Sequence, residues 1–207
     1  MSAPQQTAEW LSERAGHSTC SRFKDILAKV KSGEASGRRN YRVQLVTERL
    51  TGAPAESYKN AAMEYGAETE AAARQAYEEL TGNIVQEVGF IKHARLPWVG
   101  GSPDGTIDSD GLIEIKCPYV STVHVETLLA GVVPPEHLAQ CQGLMWVCGR
   151  QWVDFVSFDP RMPEHLRLFV VRVSRDDSFI ESLSAEIARF NAEVEALYSR
   201  LMDRANA

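Results

Sequence analysis

Residues 100–118 read GGSPDGTIDSDGLIEIKCP. Two short runs of strand formers, Gly105 to Ile107 and Leu112 to Cys117, are separated by DSDG (108–111), which supplies a turn. Side chains alternate between the faces of a strand, so Glu114 and Lys116 share one face. Ile115 points the other way, into the core. The hairpin carries Asp104 alongside Glu114, whereas Asp108 and Asp110 are read as turn residues. Two carboxylates and a lysine, with no histidine or thiolate among them, suit a hard cation such as Mg²⁺ or Mn²⁺. Such an ion activates water and stabilises charge in phosphodiester hydrolysis, and Lys116 is placed to orient that water and neutralise developing charge. The same residue types also occur as a cross-strand ion pair on a sheet surface, and the P-D-x9-E-x-K spacing alone does not choose between the two.

Around this hairpin the periodicity changes twice. Trp10 to Lys31 reads as a helical region, with Phe23, Ile26, Leu27 and Val30 at helical spacing. KSGEASGRR (31–39) reads as a loop and Tyr41 to Leu50 as a helix. SYKNAAMEYGAETEAAARQAYEELTG (57–82) reads as a long helix, with Ser57 a candidate N-cap and Gly82 a stop; Glu70 lies in its middle. Asn83 to His93, Trp152 to Phe158 and Leu168 to Ser174 have strand character. His137 to Cys148 reads as a buried helix, and 178–202 as an amphipathic one through Ile180, Leu183, Ile187, Phe190, Val194, Leu197 and Leu201. The expectation is an α/β fold: a central mixed β-sheet flanked by helices.

Length and composition fit one domain. The chain has 207 residues, 44% of them hydrophobic and 24% charged, which is enough apolar material for a core. No apolar run approaches a membrane span, and MSAPQQTAEW lacks the basic and apolar regions of a secretion signal. The four cysteines have neither CxxC nor zinc spacing and are read as reduced thiols of a cytoplasmic protein. The net charge is −6, yet residues 22–49 carry eight basic and three acidic residues, a local +5 on a remainder of −11. One reading is a face that meets a polyanion, the other a solvated loop with chance charge.

At this point the motifs resemble a known family. SPDG followed by GLIEIKCP is similar to the signature of the phage lambda exonuclease (YqaJ-type) alkaline exonucleases, within the PD-(D/E)xK nuclease superfamily. WLSERAGHSTCSRF (10–23) resembles that family's N-terminal W-x-x-x-R-x-G-x-x-T-x-S segment, and YGAETEAAAR (65–74) its helix motif. PPEHLAQCQGLMWV (134–147) resembles its Q-x-Q helix, and FDPRM (158–162) recurs there too. The motifs run in family order over roughly positions 10 to 200. The chain departs from the family at His137, where a tyrosine is common, and between Lys116 and Gln140.

The resemblance implies a restriction-endonuclease-like core and a role for each matching position. Asp104, Glu114 and the Ile115 backbone carbonyl would hold metal, and Glu70 would bring a third carboxylate to a second ion, directly or through water. Lys116 would be the catalytic lysine, with Gln140 beside the nucleophile. Arg14, Ser21 and Ser102, assisted by Thr19, would bind a terminal 5′-phosphate. Met63 would help separate the strands, and Lys31 would contact DNA. The implied layout is one nuclease domain: 10–55 an N-terminal helical DNA-end-binding part, 57–82 the long helix, 83–175 the catalytic sheet core and 178–202 the C-terminal helix.

The implied activity is a Mg²⁺-dependent 5′→3′ exonuclease, with Mn²⁺ able to substitute and two ions bound beside substrate. It would degrade one strand of duplex DNA from ends bearing a 5′-phosphate, releasing 5′-mononucleotides and leaving a 3′ single-stranded tail. The resemblance further implies a homotrimer ring threading the DNA, a single-strand annealing partner, and a phage or prophage gene expressed in a bacterial host. Two rivals stand beside it. One is an endonuclease or RecB-like repair nuclease of the same superfamily, in which the Arg14 segment would not matter. The other is an inert DNA-binding module, against which the intact Asp104, Glu114 and Lys116 speak.

Overall fold

The computed structural model describes residues 3–55 and 60–204. In chain order come α1 (Ala8–Arg14), β1 (Ser18–Thr19), a 3-10 turn at Cys20–Arg22, α2 (Phe23–Leu27), α3 (Ser36–Thr51) and α4 (Ala61–Thr81). Then follow β2 (Ile91–Lys92), β3 (Val99–Gly101), β4 (Gly105–Ile107), β5 (Gly111–Lys116), α5 (Ser121–Ala130) and α6 (Pro135–Cys148). The chain continues through β6 (Trp152–Phe158), a 3-10 turn at Glu164–Leu166, β7 (Leu168–Ser174) and α7 (Asp177–Arg204).

The main sheet is mixed, in the order β4-β5-β6-β7. β4 and β5 form the expected hairpin, with Ile107 opposite Gly111 and Asp108 at φ 45° in the turn. β5 runs parallel to β6, and β6 antiparallel to β7. A parallel neighbour needs a long crossover, which α5 and α6 provide. A second, smaller sheet, β1-β3-β2, carries β1 parallel to β3.

Alternation along β5 splits the core in two. Leu112, with Val153 and Phe155 of β6, packs on one face against α2, α3, α6 and α7. Ile113 and Ile115, with Val156 and Phe158, pack on the other face against Ala73 and Tyr77 of α4. α4 is locked to that face by the Tyr77 hydroxyl, which donates to Asp154 Oδ2 at 2.6 Å while Arg172 grips both Asp154 oxygens at 2.8 Å. Glu114 and Lys116 occupy the α6 face, and Ile115 is buried toward α4, as the alternation requires.

The sequence reading is corrected in four places. Trp10 to Lys31 is not one helical region: Gly16, at φ 74°, ends α1, and two residues of β1 intervene before α2, leaving Val30 exposed. The basic loop ends early, because α3 already starts at Ser36. Asn83 to His93 is mostly not strand; it forms a bridge between Gln86 and Thr106 and then the two-residue β2. α5 and β3 lie in stretches read as neither helix nor strand. The long helix is capped by Asn60, whose side chain accepts from the Met63 amide, and ends at left-handed Gly82; the candidate cap Ser57 lies outside the described residues.

The basic stretch also has a different use from the one its charge suggested. Arg38 and Arg42 reach across to Glu193 of α7, both at 2.6 Å, and Arg49 reaches Glu195 at 2.7 Å. Glu34 pairs with Arg38 and Arg42 as well. Much of the local excess is thus neutralised by acids of the C-terminal helix, which docks α3 against α7.

Two stability outcomes follow from packing and charge. Gly143 of α6 faces Phe23, and an added Cβ would stand 2.5 Å from that ring. Alanine normally favours a helix interior by about 1 kcal/mol over glycine. Here overpacking reverses the sign, and Gly143→Ala is expected to destabilise by about 1–3 kcal/mol, read as a lowered urea midpoint at unchanged slope. The second case is Asp159, just beyond β6. Burial alone would raise its carboxyl, but hydrogen bonds from Arg161 and Ser121 outweigh burial and hold it at about 2, below its usual 3.8. A depressed carboxylate adds stability that is complete above its unfolded value and disappears as pH falls through its folded one. The difference in melting temperature between wild type and Asp159→Asn is therefore expected to be full at neutral pH and to narrow between about pH 4 and pH 2.

Candidate active site

β4 ends where Gly105 pairs with Ile113, so the last residues of β5 present an open edge on that side. Asp104 occupies this edge. Its amide donates to the Ile113 carbonyl at 3.2 Å, and its Oδ2 accepts the Ile115 amide at 2.6 Å. The N–H and C=O of one strand residue point to the same side, so the Ile115 carbonyl opens to the same edge as Asp104.

On the α6 face Glu114 is 1% exposed. Its Oε1 accepts from Lys116 Nζ and, at 2.5 Å, from Gln140 Nε2 of α6. Its Oε2 is buried and lacks a hydrogen-bond partner among the described residues. Glu70, half-buried on α4, shares a cleft of about 560 Å³ with Asp104, Ile115 and Lys116. Trp10, Met63 and Cys117 also line that cleft. Sequence positions 70, 104, 114, 115, 116 and 140 thus converge.

The electrostatics are those of a crowded acidic site. Burial raises the Asp104 carboxyl well above its usual range, and Glu114 and Glu70 add to the effect. Glu70 is raised by burial too, with Arg74 opposing and Glu114 reinforcing. For Lys116 burial acts to lower the ammonium, but Glu114 and Asp104 together hold it raised. Burial and then Glu70 push the Cys117 thiol up to about 12, so it stays protonated. Carboxylates that repel one another in a buried cleft are stabilised as anions by a bound cation.

The residues fit a hard divalent ion. Glu114 Oε2 is an orphaned buried oxygen, Asp104 has an oxygen to spare, and the donor set is oxygen only. Among the described residues no group of three or more His, Cys, Asp or Glu side chains is placed to hold a metal ion. Mg²⁺ does not require one, since it binds through one or two carboxylates and completes its shell with water and substrate phosphate.

A second group stands beside the cleft. Arg14 Nη1 donates to Ser102 Oγ at 3.2 Å, and the Trp10 indole N–H donates to the same oxygen at 3.0 Å. The guanidinium lies 4.1 Å over the Trp10 ring and 5.9 Å from that of Phe90. Burial lowers the Arg14 pKa, with Tyr41 first among the opposing influences. Among the described residues Arg14 makes no ion pair; neither Glu9 nor Glu13 engages it, and Glu13 accepts from the Ala3 amide instead. Thr19 and Ser21 form a further hydroxyl pair at 3.5 Å, joined to Ser102 through the β1–β3 ladder, where Thr19 is opposite Gly100.

Two positions are not gathered in. Lys31 is exposed on the α2–α3 loop and does not line the cleft. Met63 lines the cleft but is 54% exposed, at its mouth. The sequence reading missed the part played by Trp10, although its i, i+4 spacing to Arg14 puts both on one helix face. It also missed Glu48 and Arg49. Glu48 Oε2 accepts the Gly16 amide at 2.7 Å, and Arg49 Nε donates to the Gly16 carbonyl at 2.9 Å, fixing the turn behind Arg14. No local pattern announces that contact. His137, the departure from the resembling family, stacks on Phe155 at 5.4 Å, and burial pushes it down to about 4.

Comparison with known proteins agrees with this arrangement. The family description "YqaJ-like viral recombinase domain" matches residues 9–151. LHK-Exo, an alkaline exonuclease from Laribacter hongkongensis, is 42% identical with a TM-score of 0.88. Its complex with dAMP gives 0.90 at the same identity, and both matches cover 97% of this chain and 98% of that one. A phage-related exonuclease from Haemophilus somnus 129PT shares the fold at 17% identity, with a TM-score of 0.68 over 89% of this chain and 96% of that one. No curated protein matches. The chain belongs to the YqaJ-like viral recombinase family.

Proposed function

We propose that this protein is a nuclease, and specifically a Mg²⁺-dependent exonuclease that degrades one strand of linear duplex DNA in the 5′→3′ direction. The products are 5′-mononucleotides and a 3′ single-stranded tail. The observation that carries the reading is the cleft lined by Asp104, Glu70 and Lys116, with Lys116 reaching back to the buried carboxylate of Glu114. Kinship with an alkaline exonuclease supports the same chemistry.

Each residue has a role in this reading. Asp104, Glu114 and the Ile115 carbonyl would hold one ion and Glu70 would serve a second when substrate is bound, with Mn²⁺ able to replace Mg²⁺. When bound, the ions supply Lewis acidity and charge neutralisation at the scissile phosphate. Lys116, kept protonated by Glu114 and Asp104, faces charge that develops on the phosphate oxygens. Gln140 fixes Glu114 Oε1 and so leaves Oε2 for the cation. Arg14, Ser102, Thr19 and Ser21 receive the terminal 5′-phosphate. A half-buried guanidinium lacking a carboxylate partner among the described residues is suited to a phosphate. Met63 at the cleft mouth parts the strands, and Lys31 touches the DNA backbone. A trimeric ring around the duplex, a single-strand annealing partner and action inside a bacterial cell carrying the phage gene complete the proposal. Among the described residues no helix is long and apolar enough to cross a membrane.

The direct test is a linear duplex labelled separately at its 5′ and 3′ ends, incubated with Mg²⁺ or with EDTA beside a closed circle. Expected is Mg²⁺-dependent release of the 5′ label as mononucleotide, with the 3′ label retained on long strands. Cleavage of the circle would replace the exonuclease reading with an endonuclease. Lys116→Ala should lower the rate by about 10²–10³ or more while DNA binding persists, because a group acting on the transition state costs rate rather than ground-state affinity. Near-wild-type cutting by that variant would remove Lys116 from the chemistry. Arg14→Ala should abolish the preference for 5′-phosphate over 5′-hydroxyl ends, measured as the ratio of initial rates; a wild type indifferent to the phosphate would contradict the pocket.

A further inference from the structure

FDPRM (158–162) stands out in the sequence, yet none of its residues enters the site described above. The structure shows where it goes. β5 stops pairing with β6 at Lys116 opposite Ser157, so the chain from Cys117 to the start of α5 has no ladder of its own. Pro118 lies in this stretch and has no amide to offer. Lys116 is therefore the last ladder residue before an unsupported segment.

Arg161 spans that segment. Its Nη1 donates to the Tyr119 carbonyl at 2.9 Å and its Nη2 to the Pro118 carbonyl at 3.0 Å. The opposite edge of the guanidinium grips Asp159, Nε to Oδ1 at 2.7 Å and Nη2 to Oδ2 at 2.9 Å. Asp159 is fully buried at the end of β6, and Oδ1 also accepts the Arg161 amide at 3.0 Å. Beneath, the guanidinium lies 4.9 Å from the Tyr65 ring, one turn before Glu70 on α4, and Tyr65 meets Tyr119 edge-on at 5.7 Å. A single planar cation thus joins the end of β6, the exit of β5 and the helix that carries Glu70.

We propose that Asp159 and Arg161 are positioning residues for Lys116: a strap that holds the exit of β5, and with it the lysine, against β6 and α4. The inference rests on the catalytic role of Lys116 proposed above. Lysine cannot replace the arginine, since a point charge cannot serve the two carbonyls and the two carboxylate oxygens together. Misplacement of a reacting group by about 1 Å lowers rate by as much as 10²-fold without touching substrate affinity.

The experiment compares wild type, Lys116→Ala, Arg161→Ala, Arg161→Lys and Asp159→Asn. It uses single-turnover digestion of 5′-phosphorylated duplex with Mg²⁺, DNA binding in EDTA, melting temperature, and amide hydrogen exchange of the peptide covering β5 and its exit, residues 111–117. Expected for both Arg161 variants is a fall in rate of about 10- to 100-fold with DNA affinity within about threefold of wild type. Exchange in 111–117 should rise selectively while protection of β6 and α7 persists, and millimolar guanidinium should restore part of the Arg161→Ala rate but none of the Lys116→Ala rate. A wild-type rate in Arg161→Ala, a loss confined to DNA affinity, or unchanged exchange in 111–117 would each overturn the strap. An inactive wild type or an active Lys116→Ala would instead strike the catalytic reading, and the exchange measurement would still decide whether the strap exists.

Discussion

Glu114 sits between Leu112 and Lys116 on the α6 face of β5, about 1% exposed, where an apolar side chain would complete the core. Burying a carboxylate there is costly unless its oxygens are satisfied. Lys116 and Gln140 satisfy one of them, and the other is left bare. That arrangement dictates much else. Gln140 reaches Glu114 because α6 packs on this face of β5, while Gly143 lets the same helix approach Phe23 of α2. The open edge left by the short β4 lets Asp104 cap the Ile115 amide from the other side. The acids are held in place by protein groups before any ligand arrives, which is the preorganisation that charge-stabilising sites need.

How much of this was legible in the sequence depended on how local each cause was. The DSDG turn and the alternation through Leu112-Ile113-Glu114-Ile115-Lys116 are nearest-neighbour features, and hairpin and facing follow from them directly. α7 was equally plain, because its apolar stripe repeats over seven positions. The Ala-rich α4 was legible as a helix, but not its cap, since Asn60 competes with other polar residues upstream. β1 and β3 were illegible for a physical reason. They are two or three residues long, and Val99-Gly100-Gly101 has almost no side chain from which to read a period. Gly100 is required there because Phe90 and the Ile91 carbonyl already occupy the space its Cβ would take. α5 escaped because only His124 and Thr127 are buried along it, so it has no apolar stripe facing the core.

For the site, the residues of the PD…EIK stretch were legible, and the partners that arrive through space were not. Gln140 was identified by its resemblance to a family motif, not by any periodicity. The Glu48 and Arg49 contacts with Gly16 come from 32 and 33 residues away in sequence, and nothing in the α3 pattern marks those two as different from their neighbours. Charge was legible only as a count. Of the basic residues in 22–49, Arg38, Arg42 and Arg49 find carboxylate partners on α7, and a local charge count is blind to a helix some 150 positions later.

That use of the arginines separates two kinds of cation in this fold. Arg38, Arg42 and Arg49 are matched by carboxylates and so fasten helices together, Arg38 being raised by its bond to Glu193. Arg14 is half-buried against Trp10, Phe90 and Ser102, without such a match among the described residues, and burial lowers it. A partly desolvated cation without a counter-charge is costly to maintain, so the surroundings must hold it in place. They do so through Gly16. Its amide and carbonyl are clamped by adjacent residues of α3, and one of these, Arg49, is itself anchored on Asn191 and Glu195 of α7. The C-terminal helix thereby braces the N-terminal arginine across the whole length of the chain. A charge held this way, beside a hydroxyl and next to Trp10 in the wall of the acidic cleft, is suited to an anion; in the proposed reading that anion is the 5′-phosphate, which would set the strand end against Asp104 and Lys116.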